Sequence, residues 1–376
     1  MNAKVVTGNT VLRVWLVIGI SVSIASAQSW VPQGPIPRAG SSAVLDTRTH
    51  RMIVFGGNIN NSDAQPVVDL NDVWRLDKAG SANQSWVQVE PDGIPPAPRT
   101  GHTSVFDPKS NRMIVFGGAL GQASPCANDT WVLTNANGFG GTPSWIQLMP
   151  SGPLPPPRNS FAAAYDPTTG SMIIFGGADC FAPSFNDVWV LSNANGVSGT
   201  PTWTELQPAG VAPAAREAAA VVYDSVNNRL IVFGGGTTTS TSGFMNDVWV
   251  LENANGTGGT PAWIELSPSG GPPSPRGGPT GVYDESNNRM TIFGGVSVSD
   301  SFLNDVWVLS DANGVGSPTW TELGPFETFA QARSSHTAVY SPGKNEMIVF
   351  GGVVAVSGSD VVDVNDVWTF THANGL

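Results

Sequence analysis

Positive charge is scarce in this chain, where 17 Lys and Arg stand against 29 Asp and Glu for a formal net charge of −12. That balance excludes a nucleic-acid partner, whose affinity rests on cations neutralising phosphates, and an anionic membrane surface. Cysteine is nearly absent. Cys126 and Cys180 permit one disulfide and exclude both a disulfide framework and a cysteine-rich metal site. There are only four His, and none forms a pair at metal-ligand spacing. No G-x-S-x-G, Cys-His pairing or phosphate loop is present, so no cofactor is expected. Helical periodicity is missing as well.

Long apolar runs are confined to the N terminus. Lys4 and Arg13 precede "VWLVIGISVSIASA", Val14 to Ala27, which closes on Ala25-Ser26-Ala27. A basic region, a short apolar core and an A-x-A site describe a secretory signal peptide over residues 1–27. The run is shorter than the ~20 residues of a spanning helix, and no second candidate follows. The expected product, residues 28–376, is secreted or periplasmic and free of the membrane after cleavage. It holds 15 basic and 29 acidic residues, a net charge of −14.

What the sequence has in abundance is turn-formers, with 44 Gly and 30 Pro, and a repeat. "FGG" recurs with its first Gly at 56, 117, 176, 234, 294 and 351. N-D-[VT]-W follows, ending at Trp74, Trp131, Trp189, Trp249, Trp307 and Trp368. An Arg precedes each "FGG": Arg38, Arg99, Arg158, Arg216, Arg276 and Arg333. Each copy reads as four short strands. The second, such as "MIVFGG" from Met113, is apolar throughout, as a strand covered on both faces requires. Four-stranded units repeated in this way predict an all-β, six-bladed β-propeller of antiparallel blades.

Tryptophan closes the predicted ring. After residue 27 there are twelve Trp, six in N-D-x-W and six in the fourth strand at 30, 86, 145, 203, 263 and 320. The last copy stops without a fourth strand, and "QSWVPQG" at Gln28 has no copy of its own, so the N-terminal strand is expected to close blade six. Trp30 lies 8 residues before its Arg where the others lie 13, so this strand is short.

The paired glycines, "DVWV" and the fourth-strand Trp resemble the kelch-repeat family across residues 28–376. The resemblance implies a propeller with the fourth-to-first linkers and second-to-third loops on one face. It also implies an Arg-lined channel mouth, because kelch adaptors contact acidic peptides through an Arg at this position. Arg38, Arg99, Arg158, Arg216, Arg276 and Arg333 are therefore the candidate ligand contacts. The competing reading pairs them with Asp72, Asp129, Asp187, Asp247, Asp305 and Asp366 as ion pairs between blades.

Other candidates are local. The longest second-to-third loops, in copies one and six, carry Asp63, Asp69, Asp360 and Asp363, an acidic edge that is at most a calcium site. Cys126 and Cys180 occupy equivalent loops of adjacent copies, as a disulfide requires. His102 and His336 share one repeat position, and so do Tyr165, Tyr223, Tyr283 and Tyr340, which points to packing. Glu217 is the only acid directly after a repeated Arg.

Three functions compete. The first is a secreted, non-enzymatic module that binds a protein or glycan through the variable loops and the mouth. The second, from resemblance to a periplasmic kelch enzyme acting on sialic acid, is a mutarotase or epimerase of an acidic sugar, with Arg216 holding the carboxylate and Glu217 as base. The third is a copper oxidase similar to galactose oxidase, for which the Tyr, His and Cys arrangement has no counterpart here.

Overall fold

The computed structural model describes residues 34–60, 67–121, 125–181, 183–237, 243–299, 301–324, 326–357 and 360–376. The expected leader, Trp30 and Asp63 lie outside them. The fold is all-β, and each sequence copy forms its own antiparallel sheet. In the first copy the strands are Ser42–Asp46, Arg51–Ile59, Val68–Asp77 and Ser85–Val89, paired in chain order. Copies two to five repeat this four-stranded arrangement. Among the described residues the sixth sheet has three strands, Thr337–Ser341, Glu346–Phe350 and Val367–Thr371.

The second strands explain why the sheets stack. Their side chains alternate sides, and both sides are covered. Ile53 and Phe55 pack with Met113 and Val115 of the next sheet, while Met52 and Val54 pack with Ile348 and Phe350 of the sixth. The same pattern joins Phe116 to Ile174, Phe175 to Val232, Phe233 to Ile292, and Phe293 to Val349. The paired glycines end these strands where the next copy's backbone presses in. Gly176 has φ +64°, and a Cβ there would lie 2.6 Å from the Arg216 carbonyl oxygen.

A second device joins neighbours at the opposite end. The Asp that closes each first strand caps its own hairpin, as when Asp166 accepts from Thr168 N–H and the Thr169 hydroxyl. The Asn of the next sheet's long turn then donates to the same carboxylate. These bonds run from Asn137 to Asp46, Asn195 to Asp107, Asn255 to Asp166, Asn313 to Asp224 and Asn374 to Asp284, at 2.6–2.8 Å. The turn "NANG", Asn135 to Gly138 in the second copy, is thus part of the joint between neighbouring sheets. The latch has no sixth member. Ser341 stands where an Asp would be, and the first copy's turn, "DKAGSANQ", places no Asn at the matching position.

Candidate functional site

Each repeated Arg stands four residues before a first strand, with its side chain buried. Arg158 donates from Nε to the Pro156 carbonyl (3.1 Å), from Nη1 to the Gly176 carbonyl (2.8 Å), and from both Nη atoms to the two oxygens of Asp187 (2.7 Å each). Asp187 also accepts the Trp189 indole N–H at 2.7 Å. Arg38, Arg99, Arg216, Arg276 and Arg333 repeat this set with Asp72, Asp129, Asp247, Asp305 and Asp366. All six arginine side chains have no solvent exposure. Burial pushes the aspartates up, but the arginine bonds and charge outweigh it and hold Asp129, Asp247, Asp305 and Asp366 below the ordinary carboxylate value.

Two corrections follow. The ion pairs lie within one copy and do not join neighbours. It is the arginine backbone that crosses between sheets, with Arg158 N–H donating to the Ala127 carbonyl and Gly118 N–H to the Arg158 carbonyl. The mouth, moreover, is not lined by free guanidinium groups. With four of five donor hydrogens engaged and no surface exposed, Arg216 offers nothing to a sugar carboxylate.

The first strands surround a central channel, and two residues past each Arg a belt of backbone bonds circles its mouth. Every member has positive φ, namely Gly40, Gly101, Ser160, Ala218, Gly278 and Ser335. Gly40 N–H donates to Ser335, Gly101 to Gly40, Ser160 to Gly101, Ala218 to Ser160 and Gly278 to Ala218, at 2.7–3.0 Å. The remaining link, from Ser335 N–H to the Gly278 carbonyl, is not made. Just below the belt His102 and His336 are buried, and their Nε2 atoms meet the hydroxyls of Ser42 (2.9 Å) and Thr280 (2.7 Å). Burial, reinforced by Arg99 and Arg333 respectively, lowers both imidazoles to about 3. At the far end of the channel stand the four tyrosines. Tyr223, Tyr283 and Tyr340 donate to Asn228, Asn288 and Asn345, which shape the first hairpin.

The loops between second and third strands hold the remaining candidates. Cys126 and Cys180 form a disulfide that joins the second and third copies, as expected from their loop positions. The loops of copies one and six continue as hairpins beyond their glycines, through Arg51–Ile59 with Val68–Asp77 and Val353–Ser357 with Asp360–Asp363. They are neighbours, since Asn60 N–H donates to the Asp363 carboxylate. Asp360 is exposed, whereas burial raises the carboxyls of Asp69 and Asp363. Among the described residues no three of His, Cys, Asp and Glu are grouped to hold a metal ion.

Glu217 lies in a cleft of about 140 Å³ at the mouth, with Phe244, Gly277, Ser334 and Ser335. The sequence singled out Glu217 by its position after Arg216. It carried no signal for the cleft, which needs Phe244 from a variable loop and glycines at 236 and 277 to admit the ring.

The profile of the KLHDC2/KLHL20/DRC7 kelch-repeats domain matches residues 13–195 and 110–278, and that of the Attractin/LZTR1 β-propeller matches residues 196–375. Host cell factor 1 of Homo sapiens is 27% identical over 229 residues, 56% of this chain and 10% of that protein. The leucine-zipper-like transcriptional regulator 1 homolog of Drosophila melanogaster is 28% identical over 319 residues, 81% of this chain and 28% of its own length. The chain thus spans a small part of these curated relatives. The solved structure of YjhT superposes with a TM-score of 0.60 at 16% identity, over 90% of this chain and 95% of that one, which is a likeness of fold. With its six Gly-Gly strands, its buried Arg-Asp-Trp sets and a profile covering more than half of its length, the chain belongs to the kelch-repeat family.

Proposed function

We propose that this chain is an exported six-bladed kelch propeller, residues 28–376 after loss of a leader at 1–27, that binds a protein or glycan ligand on its loop face. The observation that carries the reading is the pair of adjoining hairpins above the first and sixth sheets. They expose Val68 (49%), Val356 (61%) and Val362 (38%) beside the acidic Asp360. Exposed valines on paired strands at a loop edge form a contact surface that a solitary domain has no reason to keep. The curated relatives, far longer proteins in which such a domain is one part, are consistent with an interaction module.

The test is capture of exported or surface proteins and glycans by the purified chain, compared with Val68→Asp, Val356→Asp and Val362→Asp. A specific ligand retained by the parent should fall by about tenfold or more in affinity when a central apolar contact is charged. A ligand retained equally by the triple variant would place the binding surface elsewhere.

The six-bladed reading needs a fourth strand for the last blade. In five cases a fourth-strand Trp sits on the second-strand Phe of the preceding sheet: Trp145 on Phe55, Trp203 on Phe116, Trp263 on Phe175, Trp320 on Phe233 and Trp86 on Phe350, with ring centroids 4.9–5.3 Å apart. Phe293 is the sixth. It lines a small apolar groove with Trp368 and Phe370. The approach to Arg38 also matches the others. Asn365 donates to the Pro35 carbonyl three residues before Arg38, as Asn128 does to Pro155 before Arg158. Residues 28–33, which lie outside the described residues, are proposed to supply that fourth strand.

A further inference from the structure

We infer that the cleft at Glu217 is a binding site for a small hydroxylated ligand carrying a protonated amine, of the amino-sugar kind, and that it does not take an acidic sugar. A belt of backbone bonds surrounds the channel mouth. It is intact from Ser335 through Gly40, Gly101, Ser160 and Ala218 to Gly278, and interrupted only between Gly278 and Ser335. Glu217 and the cleft lie at that interruption. A carbonyl acceptor and an amide donor that are consumed in every other copy are therefore available at one place on the ring.

The walls of the cleft are built for close approach. The Phe244 ring packs against two backbones, so that a Cβ on Gly236 or Gly277 would fall 2.5 Å from it. The equivalents of Gly277 in other copies are Ala39, Thr100, Asn159, Glu217 and Ser334, none of which would admit the ring in this way. The Phe244 ring together with Ser334 and Ser335 gives the cleft an amphipathic lining. The cleft is smaller than the ~300–1,000 Å³ of drug-sized sites and suited to a single ring.

Charge selects the ligand. Every repeated Arg on this face is buried in its own aspartate pair, so among the described residues no cation answers Glu217. Among them its carboxylate makes no ion pair, and burial pushes it above the usual carboxylate range. A half-buried, uncompensated carboxylate gains from an ammonium group and repels a second carboxylate. The adjoining carbonyl of Gly278 accepts from a ligand hydroxyl, and the aromatic wall favours both the apolar face of a ring and a nearby cation. This inference is independent of the hairpin surface, which lies above other sheets, so either can fail alone.

The test is ligand-observed NMR titration at pH 7 with glucosamine, glucose and glucuronate, on the parent chain, Glu217→Gln and Phe244→Ala. Thermal unfolding should show that both variants fold. Glucosamine should bind at least about tenfold more tightly than glucose, with glucuronate weakest. Glu217→Gln should erase the preference for glucosamine over glucose, and Phe244→Ala should weaken both. The inference is overturned if glucuronate matches glucosamine, if none of the three binds at tens of millimolar, or if the glucosamine preference survives Glu217→Gln.

Discussion

Between pH 6 and pH 4 the native state should lose about 5 kcal/mol through His102 and His336 together. Burial, with Arg99 beside one ring and Arg333 beside the other, depresses both imidazoles to about 3 in the folded protein, against about 6.5 in the unfolded chain. Below 6.5 the unfolded chain takes up two protons that the folded protein refuses. Their stabilisation is therefore complete above that pH and drains away as the pH falls towards 3, at about 1.4 kcal/mol per pH unit for each ring. Asp129, Asp247, Asp305 and Asp366, held low in the folded state, lose their contribution in a separate window below the ordinary carboxylate value. Asp69, Asp363 and Glu217 are raised by burial and work in the opposite direction on acidification. The clean readout is thus a difference, with urea unfolding at pH 6 and pH 4 for the parent and for His102→Gln with His336→Gln. The double variant should show an acid loss smaller by several kcal/mol. Equal losses in both proteins would mean that the imidazoles titrate normally.

Asp187→Ala should destabilise by about 3–5 kcal/mol. Arg158 has no exposed side-chain surface and Asp187 retains 19%. Removing the carboxylate strands a buried guanidinium and orphans the Trp189 indole N–H, whose partner was Asp187. Arg158→Lys should cost less but remain damaging, because an ammonium cannot span both Asp187 oxygens and the Gly176 carbonyl as the planar fork does. Replacing both partners, Arg158→Met with Asp187→Leu, should cost less than Asp187→Ala alone, since no buried charge is left behind. Chemical denaturation of the four proteins measures all of this. A loss below about 1 kcal/mol for Asp187→Ala would show that the pair is solvated and the guanidinium accessible, which would reopen the arginine-lined mouth.

Period and punctuation exposed the frame to sequence reasoning. Two-sided burial of the second strands, four strands in each of the first five copies and the position of the cysteines follow from apolar runs, Gly-Gly and loop equivalence, and these are local signals. The arginines were visible but ambiguous, because an Arg matched by an Asp in every copy reads equally as a ligand ring or as a set of pairs. Only the direction of the side chain decides between them, and direction is a tertiary fact. The latch from "NANG" to the first-strand Asp was legible in principle. The one copy ending in Tyr340-Ser341 precedes, around the ring, the one copy whose turn lacks the Asn, and paired losses of this kind mark contact. The Glu217 cleft was out of reach, since it depends on an interrupted bond between two backbones and on a phenylalanine from a loop of no fixed length. Repetition thus marks what holds the sheets together, and departures from repetition mark the candidate sites.

The proposal on which the six-bladed reading turns is that residues 28–33, which lie outside the described residues, supply the fourth strand of the last sheet. In the first sheet Trp86 pairs with Leu76 and Ser85 with Asp77, and under that proposal the same register would set Trp30 against Phe370 and Ser29 against Thr371. Opposed residues on antiparallel strands lie about 4.5–5.5 Å apart at Cα, within disulfide range. The measurement is oxidation of Ser29→Cys with Thr371→Cys, beside the out-of-register pair Ser29→Cys with Thr369→Cys, followed by mapping of the cross-linked peptides. An intramolecular cross-link joining the two termini in the first protein, and little in the second, is the predicted result. No cross-link in either, or equal yields in both, would contradict it.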